Sequence, residues 1–421
     1  MKRYPDGERK PKGEYGYRQG ILTGILLTVL LFAVGVCGKE IWKLSRERTV
    51  SWQTAAVEQA QSEQMGDKVE LLLQEIDENF LFEYDEQEMA DAVYHTMLDA
   101  LEDPYSEYYT AEEYSTIREK MSGSFYGIGV VMRLSEDETH VEVVSLVDGS
   151  SAQEVGILPG DWLCQADGTS LKEMSLSEIV ALVRGKEGTT VHMQVYRPSE
   201  DAYYEYDVER RKIETDSVYS EMLEDSVGYI QITEFDSVTD EQFQTALESL
   251  MDQGMEYLVI DLRNNLGGTV DSVVNIANML LPEELITYTE TKDGTRKEYH
   301  SDANQLYQGS LAVLINGNSA SASEILAGAV QDSGRGTLIG TTSFGKGIVQ
   351  SVRMLSDGTA VKLTVARYYT PNGTCIHEIG IEPDITVELS EEAIEDGLLE
   401  REEDNQLEAA IQAVLEKSDQ S

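Results

Sequence analysis

The longest apolar run lies near the N-terminus. No charge stands between Arg18 and Lys39, and residues 21–38 read ILTGILLTVLLFAVGVCG. As a helix this segment reaches roughly 30 Å, enough to cross a bilayer. The 20 residues before it carry six bases (Lys2, Arg3, Arg9, Lys10, Lys12, Arg18) against three acids. That excess predicts a cytoplasmic tail over 1–20, an uncleaved anchor over 21–38 and everything later outside the membrane. A cleaved signal, or a lipoprotein signal ending at Cys37, fits less well because Val34-Gly35-Val36 puts valine directly before the cysteine.

Beyond the anchor the periodicity changes twice. Residues 51–122 form a helical region, with Val69, Leu72, Leu73, Ile76 and Phe80 at three- and four-residue spacing. A second helix is expected from about Glu86 to Leu101, stopped by Asp103-Pro104. Tyr105, Tyr108 and Tyr109 follow and are expected to pack against the next domain. From Phe125 to about Lys212 the pattern is strand and turn: GIGVVMRL, a turn at Glu136–Glu138, HVEVVSLV, the loop SSAQEVGILPGDWLCQADG, a short helix Ser175–Val183 and a last strand pair.

After Val218 strands and helices alternate. Strands are expected at Val227–Thr233, Tyr257–Arg263 and Leu311–Gly317, and helices at Thr239–Asp252, Thr269–Leu281 and Ser321–Gln331, an α/β pattern. Asp357-Gly358 marks a hairpin and Pro371-Asn372-Gly373 a further turn. An acidic stretch, Ser390–Asp404, gives way to a helix at Gln406–Leu415, expected to serve packing or dimerisation.

At 421 residues the chain holds two to four domains, and 41% hydrophobic content lets most of it fold despite 26% charged residues. The net charge of −46 repels phosphate backbones and excludes nucleic acid as a partner. Cys37, Cys164 and Cys375 suggest no disulfide framework, and none has a metal-ligand companion at the usual spacing.

Three glycine- and serine-rich turns could carry chemistry. The first, Asn316–Ile325 (NGNSASASEI), follows a buried-looking strand and opens a helix, where the positive end of the helix dipole suits a nucleophile that generates an oxyanion. Ser321 and Glu324 equally fit a capping box. The second, Asp261–Gly268 (DLRNNLGG), has adjacent glycines that permit close backbone approach. Its Asp261 and Arg263 read as structural. The third, Ser343–Gln350 (SFGKGIVQ), holds Lys346 between two glycines; a lysine is a base only when burial or nearby positive charge keeps it neutral. Gln350 would meet Lys346 if the segment made a helical turn.

The stretch 124–212 resembles a PDZ domain, on Tyr126-Gly127-Ile128-Gly129 where that family binds a terminal carboxylate, and on Leu158-Pro159-Gly160-Asp161 followed by Asp167-Gly168. Together, NSASASEI, DLRNNLGG and FGKGIVQ resemble the C-terminal processing (tail-specific) peptidases, as do LEDPYSEYY at 101–109 and YYTPNGTCIHEIGIEPDI at 368–385. The resemblance implies a multidomain α+β protein: anchor, N-terminal helical region at 51–122, PDZ domain at 124–212, an α/β (crotonase-like) serine protease core at 218–389 and a C-terminal segment at 390–421.

It also implies that Ser321 is the nucleophile, Lys346 the base and Gln350 its partner. Gly267 and Ala322 would form the oxyanion hole, and Tyr126, Gly127, Ile128 and Gly129 would bind the peptide carboxylate. No metal or organic cofactor is implied, and the partners are protein or peptide substrates with a free C-terminus and the membrane, with a second copy of the chain as a further candidate. Two rivals compete with this reading. One is a Ser-His-Asp hydrolase using one of His95, His140, His192, His300 or His377; the other is an inactive extracellular PDZ scaffold.

Overall fold

The computed structural model describes residues 64–135, 139–390, 394–395, 398–399 and 403–418. The run at 21–38 and the turn at Glu136–Glu138 lie outside them. Among the described residues no helix is long and apolar enough to cross a membrane. The chain divides into two compact units, residues 1–86 and 87–421. In the first, helix α1 covers residues 64–79 and is followed by an aromatic cluster in which Phe80 meets Phe82 and Tyr84 edge-on.

Helix α2 (Glu86–Asp99) begins at the boundary, and the second unit continues with the short strand β1 (Glu107–Tyr109) and α3 (Ala111–Ser122). Thr110 and Glu113 close a capping box on α3, and Gly123 ends it at φ +60°. Tyr108 and Tyr109 are buried, but not against the strands that come next in sequence. β1 instead pairs antiparallel with residues 360–362, more than two hundred positions later. The expectation that these tyrosines pack on the following domain is corrected: the short strand finds its hydrogen bonds on a remote sheet edge.

The next layer is β2 (Ser124–Gly127), β3 (Val130–Leu134), β4 (Val141–Leu146), α4 (Ser151–Val155), β5 (Trp162–Ala166), β6 (Thr169–Ser170), α5 (Leu176–Val183), β7 (Thr190–Arg197), β8 (Ala202–Glu209) and β9 (Arg211–Glu214). Strands β3-β4-β5-β7-β8 form an antiparallel sheet around Val143, Ile157, Leu163, Ile179 and Met193, while β2 pairs β9. GIGVVMRL is thus two strands broken at Ile128-Gly129. The Leu158–Asp161 turn is structural: Asp161 receives two bonds from the buried Arg197, at 2.8 Å each, and one from the Leu158 N–H at 2.9 Å.

The last layer comprises β10 (Val218–Met222), β11 (Val227–Ile232), α6 (Thr239–Asp252), β12 (Tyr257–Asp261), α7 (Val270–Leu280), β13 (Leu285–Thr291), β14 (Arg296–His300), β15 (Ser310–Ile315), α8 (Ala322–Asp332), β16 (Thr337–Gly340), β17 (Ile348–Met354), β18 (Ala360–Tyr369), β19 (Ile385–Thr386) and α9 (Asn405–Ser418). One sheet runs β10-β11-β12-β15-β16-β19, parallel from β11 onward. Its central strands are apolar on both faces because both are covered: α6, α7 and α8 close one side and α9 the other. A second, antiparallel sheet runs β1-β18-β13-β14, with β17 also on β18.

Arg263, just beyond β12, is buried between Asp261 and Asp404, with Nη2 bonds of 2.6 and 2.7 Å. Gln406 accepts a further bond from its Nη1 at 3.1 Å. This charge network ties the start of α9 to the loop after β12; leaving such a buried charge unpaired costs about 3–5 kcal/mol.

Candidate active site

The loops that follow β12, β15 and β16 meet at the carboxyl edge of the parallel strands, the usual place for a site in an open α/β sheet. Side-chain bonds lock the first two together. Ser319 Oγ donates to the Leu262 carbonyl at 2.8 Å, Ser323 Oγ to the Asn265 carbonyl at 2.9 Å, and the Ala320 N–H to the same carbonyl at 3.0 Å. Both of those serines are fully buried. The middle one differs. Ser321 sits at φ +56°, ψ −110°, a conformation that costs a non-glycine residue energy and recurs at functional turns. It also lines a cavity of about 440 Å³, with Leu266, Gly267, Lys346, Gln350 and Tyr368 among its walls.

The capping-box reading of Ser321 and Glu324 is only half of what the turn does. The Glu324 carboxylate accepts the Ser321 N–H at 2.8 Å, and the Glu324 N–H, which faces the serine side chain in the capping box, bonds to the Ser321 carbonyl at 2.9 Å. The same fully buried carboxylate reaches the third loop. It accepts Ser343 Oγ at 2.6 Å, the Gly345 N–H at 2.7 Å, the Lys346 N–H at 2.9 Å and the Tyr368 hydroxyl at 3.3 Å. Tyr368 donates to the Ser321 carbonyl as well, at 3.1 Å. One carboxylate therefore holds the serine turn and the lysine loop in register.

Burial depresses the Lys346 amine, with the positive charge of Lys362 adding to the effect and Glu324, Asp103 and Glu107 opposing it. Lowering the pKa raises the neutral fraction at a given pH, the form a base requires. Gln350 lies on β17, not on a helical turn, and the ladder to β18 shifts register between Val349 and Gln350. Its Nε2 donates to Thr364 Oγ1 at 3.3 Å, so the expected helical turn is corrected to a strand, from which Gln350 shares the cavity wall with Lys346.

The two sequence-predicted oxyanion groups also part company. The Ala322 N–H, first in α8, has no acceptor among the described residues. The Gly267 N–H is taken by Asn265 Oδ1 at 2.8 Å. Gly267 is needed for its shape: at φ +101°, a Cβ there would lie 2.8 Å from the Ser321 Cβ and 2.9 Å from the Ala322 nitrogen. On that loop the Gly268 N–H, on the same cavity, has no acceptor among the described residues.

A second, smaller cavity of about 70 Å³ lies in the earlier layer, between the Gly127-Ile128-Gly129 turn and α5, with Val180, Val183 and Arg184 on its helix side. The Ile128 and Gly129 carbonyls accept from the Ala152 and Val147 N–H groups at 3.0 Å each, and their own N–H groups have no acceptor among the described residues. Gly129 has φ +75°, and a Cβ there would meet the Ser150 Cβ at 2.3 Å. Tyr126 stands apart from its expected companions. It is a β2 residue opposite Lys212, its carbonyl accepts from Gly185, and it does not line the cavity.

Two family models match the chain. The model of peptidase family S41 matches residues 226–387 and that of a PDZ domain matches residues 142–197. The carboxy-terminal processing protease CtpA of Bacillus subtilis is 34% identical over 328 residues, covering 78% of this chain and 70% of its own. The carboxyl-terminal-processing protease of Synechocystis sp. is 35% identical over 296 residues, 69% of each chain. The chain belongs to peptidase family S41. Among solved structures, the photosystem II D1 C-terminal processing protease matches at 31% identity with a TM-score of 0.45, over 76% of this chain and 86% of its own.

This S41 peptidase is a serine-type endopeptidase of the carboxy-terminal processing kind, with a PDZ domain ahead of its protease domain. None of its five histidines lines the larger cavity. His300 lies on β14 and bonds to Glu298 at 3.0 Å. His377 has its backbone against Gly347, but its Nδ1 is buried without a partner among the described residues. The sequence reading missed the reach of Glu324, whose only local signal is its place three residues after Ser321. It also missed Asn265, which bonds to the Ile232 carbonyl at 2.8 Å as well as to Gly267.

Proposed function

We propose that this peptidase cuts protein substrates near their C-termini with Ser321 as nucleophile and Lys346 as general base. The observation that carries the reading is the selection among three serines: Ser319 and Ser323 spend their hydroxyls on loop carbonyls, whereas Ser321 lines the cavity shared with a desolvated lysine. Neutral Lys346 takes the Ser321 proton as the oxygen attacks the substrate carbonyl. The Ala322 N–H, at the positive end of α8, stabilises the oxyanion, with the Gly268 N–H as its second donor in place of Gly267. The Lys346 ammonium then protonates the leaving amine, and the acyl-enzyme remains. Water, deprotonated by the same amine, attacks the ester and releases the new C-terminus and the serine.

The PDZ turn is the substrate's anchor in this reading. The open N–H groups of Ile128 and Gly129 suit a terminal carboxylate, and the pocket walled by Val180 and Val183 suits an apolar last side chain. Amidating the C-terminus of an apolar-tailed substrate should therefore lower kcat/KM by about tenfold or more, since a charge-assisted bond contributes roughly 1.5–3 kcal/mol. Equal rates for acid and amide across a range of concentrations would remove the tail-anchoring role and leave the chemistry untouched.

The charge pattern of 1–38 supports a single-pass anchor with the catalytic part outside the cytoplasm. In intact cells, externally added protease should then degrade the catalytic part while cytoplasmic proteins survive. Protection equal to theirs would reverse the orientation.

A further inference from the structure

The segment Asp103–Tyr109 plays no part in the mechanism above, yet it reaches the base. The ring of Tyr105 covers the Lys346 amine, with Nζ 4.5 Å from its centroid. The ring is held there by a stapled turn. Asp103 accepts the Tyr105 N–H at 3.1 Å and Ser106 Oγ at 2.6 Å, and Ser106 Oγ in turn accepts the Thr364 N–H of β18 at 3.1 Å. β1 then continues along β18 with Glu107 opposite Lys362. Thr364 also receives the Gln350 side chain, so the turn that carries Tyr105 is bonded to the cavity wall.

The charged groups around the amine are few. Lys362 bears on it from β18, but its ammonium is paired with Glu107. Glu324 is saturated by the loop amides and hydroxyls, Asp103 by its own turn, and His377 abuts Gly347 through its backbone. No carboxylate lies within ion-pair distance of Lys346 Nζ among the described residues. An aromatic face therefore stands over the amine. Such a face has two opposed effects: it keeps water away, which favours the neutral amine, and its negative quadrupole attracts the ammonium.

We infer that Tyr105 is a positioning residue for the base, holding the Lys346 amine at the cavity wall and shielding it from water. The inference rests on the proposed role of Lys346. Burial is the leading cause of the amine's depression, and the ring supplies part of that cover, so removing it is expected to raise the amine's pKa.

The test is the pH dependence of single-turnover kcat/KM for the full-length enzyme on an internally quenched, free-acid peptide, with melting curves for every variant. Wild type should show one limb rising with pH. Tyr105→Phe keeps the face and should reproduce that limb. Tyr105→Ala admits water and should move it alkaline by about one pH unit, a tenfold loss below the limb. Tyr105→Leu keeps apolar cover without the quadrupole and should move it to lower pH. A limb that stays at the wild-type position in Tyr105→Ala, or in Tyr105→Leu where the alanine variant does not fold, overturns the inference. A wild-type profile without a rising limb overturns the base assignment itself, which separates the two failures.

Discussion

Ser321→Ala and Lys346→Ala each lose peptide cleavage by on the order of 10⁴-fold or more while remaining folded, whereas Ser319→Ala and Ser323→Ala keep substantial activity. The asymmetry follows from where each hydroxyl points. Removing Ser321 Oγ deletes the proposed nucleophile and costs the fold no more than its capping contact with the Glu324 N–H, which keeps its bond to the Ser321 carbonyl. Removing either neighbour forfeits one buried bond to a loop carbonyl, about 1 kcal/mol, and leaves the reacting atoms in place. Lys346→Ala deletes the only described amine that shares the cavity with Ser321 and is depressed by burial. Its backbone bond to Glu324 survives, so the loop keeps its course. Peptide turnover together with thermal melting checks this, and equal loss in all three serine variants with unchanged melting would undo the choice of one nucleophile.

Glu324→Gln lowers kcat/KM by about 10²-fold or more and destabilises the protein by on the order of 3 kcal/mol. The carboxylate is an acceptor for the Ser321, Gly345 and Lys346 amides and for the Ser343 and Tyr368 hydroxyls. A glutamine of the same shape offers one acceptor oxygen and turns an amine of two donors toward groups that are themselves donors. At least one buried amide loses its partner, and the serine turn and the lysine loop are free to drift apart. Displacement by an ångström is enough for a large loss of rate. The check is paired: urea unfolding for stability and single-turnover kinetics for activity. Wild-type values in both would mean that the hub does not hold the site together.

How much of this could be read from the chain depends on how local each feature is. The parallel strands were legible because fully buried strands are short apolar runs bounded by polar turns: Leu311–Ile315 and Leu258–Ile260 announce themselves. Helix α6 was legible from Thr239 to Asp252 for a similar reason, an apolar stripe with acids in its first turn. The hairpin β13–β14 was not, although Asp293-Gly294 marks its turn, because one strand alternates weakly and the other is nearly all polar.

At the site, the identity of the serine and lysine loops was legible, but what joins them was not. Thr364 meets Ser106 across 258 positions, and Glu324 meets Gly345 and Lys346 only because β15 and β16 are neighbours in the sheet. The expected helical turn at Gln350 has the same origin. A helical turn was expected over this segment, whereas pairing with β18 makes Gln350 part of a strand and leaves Lys346 in the loop before it. Gly267 was misread more subtly. A glycine beside a nucleophile invites an oxyanion role, but the Asn265 side chain two residues earlier takes its N–H, a local turn that competes for the donor.

The central claim, one nucleophile activated by one lysine, is tested most directly by trapping. A peptidyl fluorophosphonate with a free C-terminal carboxylate would be incubated with wild-type enzyme and with Lys346→Ala at several pH values, and the modified residue located by mass spectrometry of the digested protein. The adduct should form on Ser321 alone, faster as pH rises, and at a rate near background in Lys346→Ala. An adduct on Ser319, Ser323 or a histidine, or modification of Ser321 at an unchanged rate when Lys346 is absent, would contradict the account.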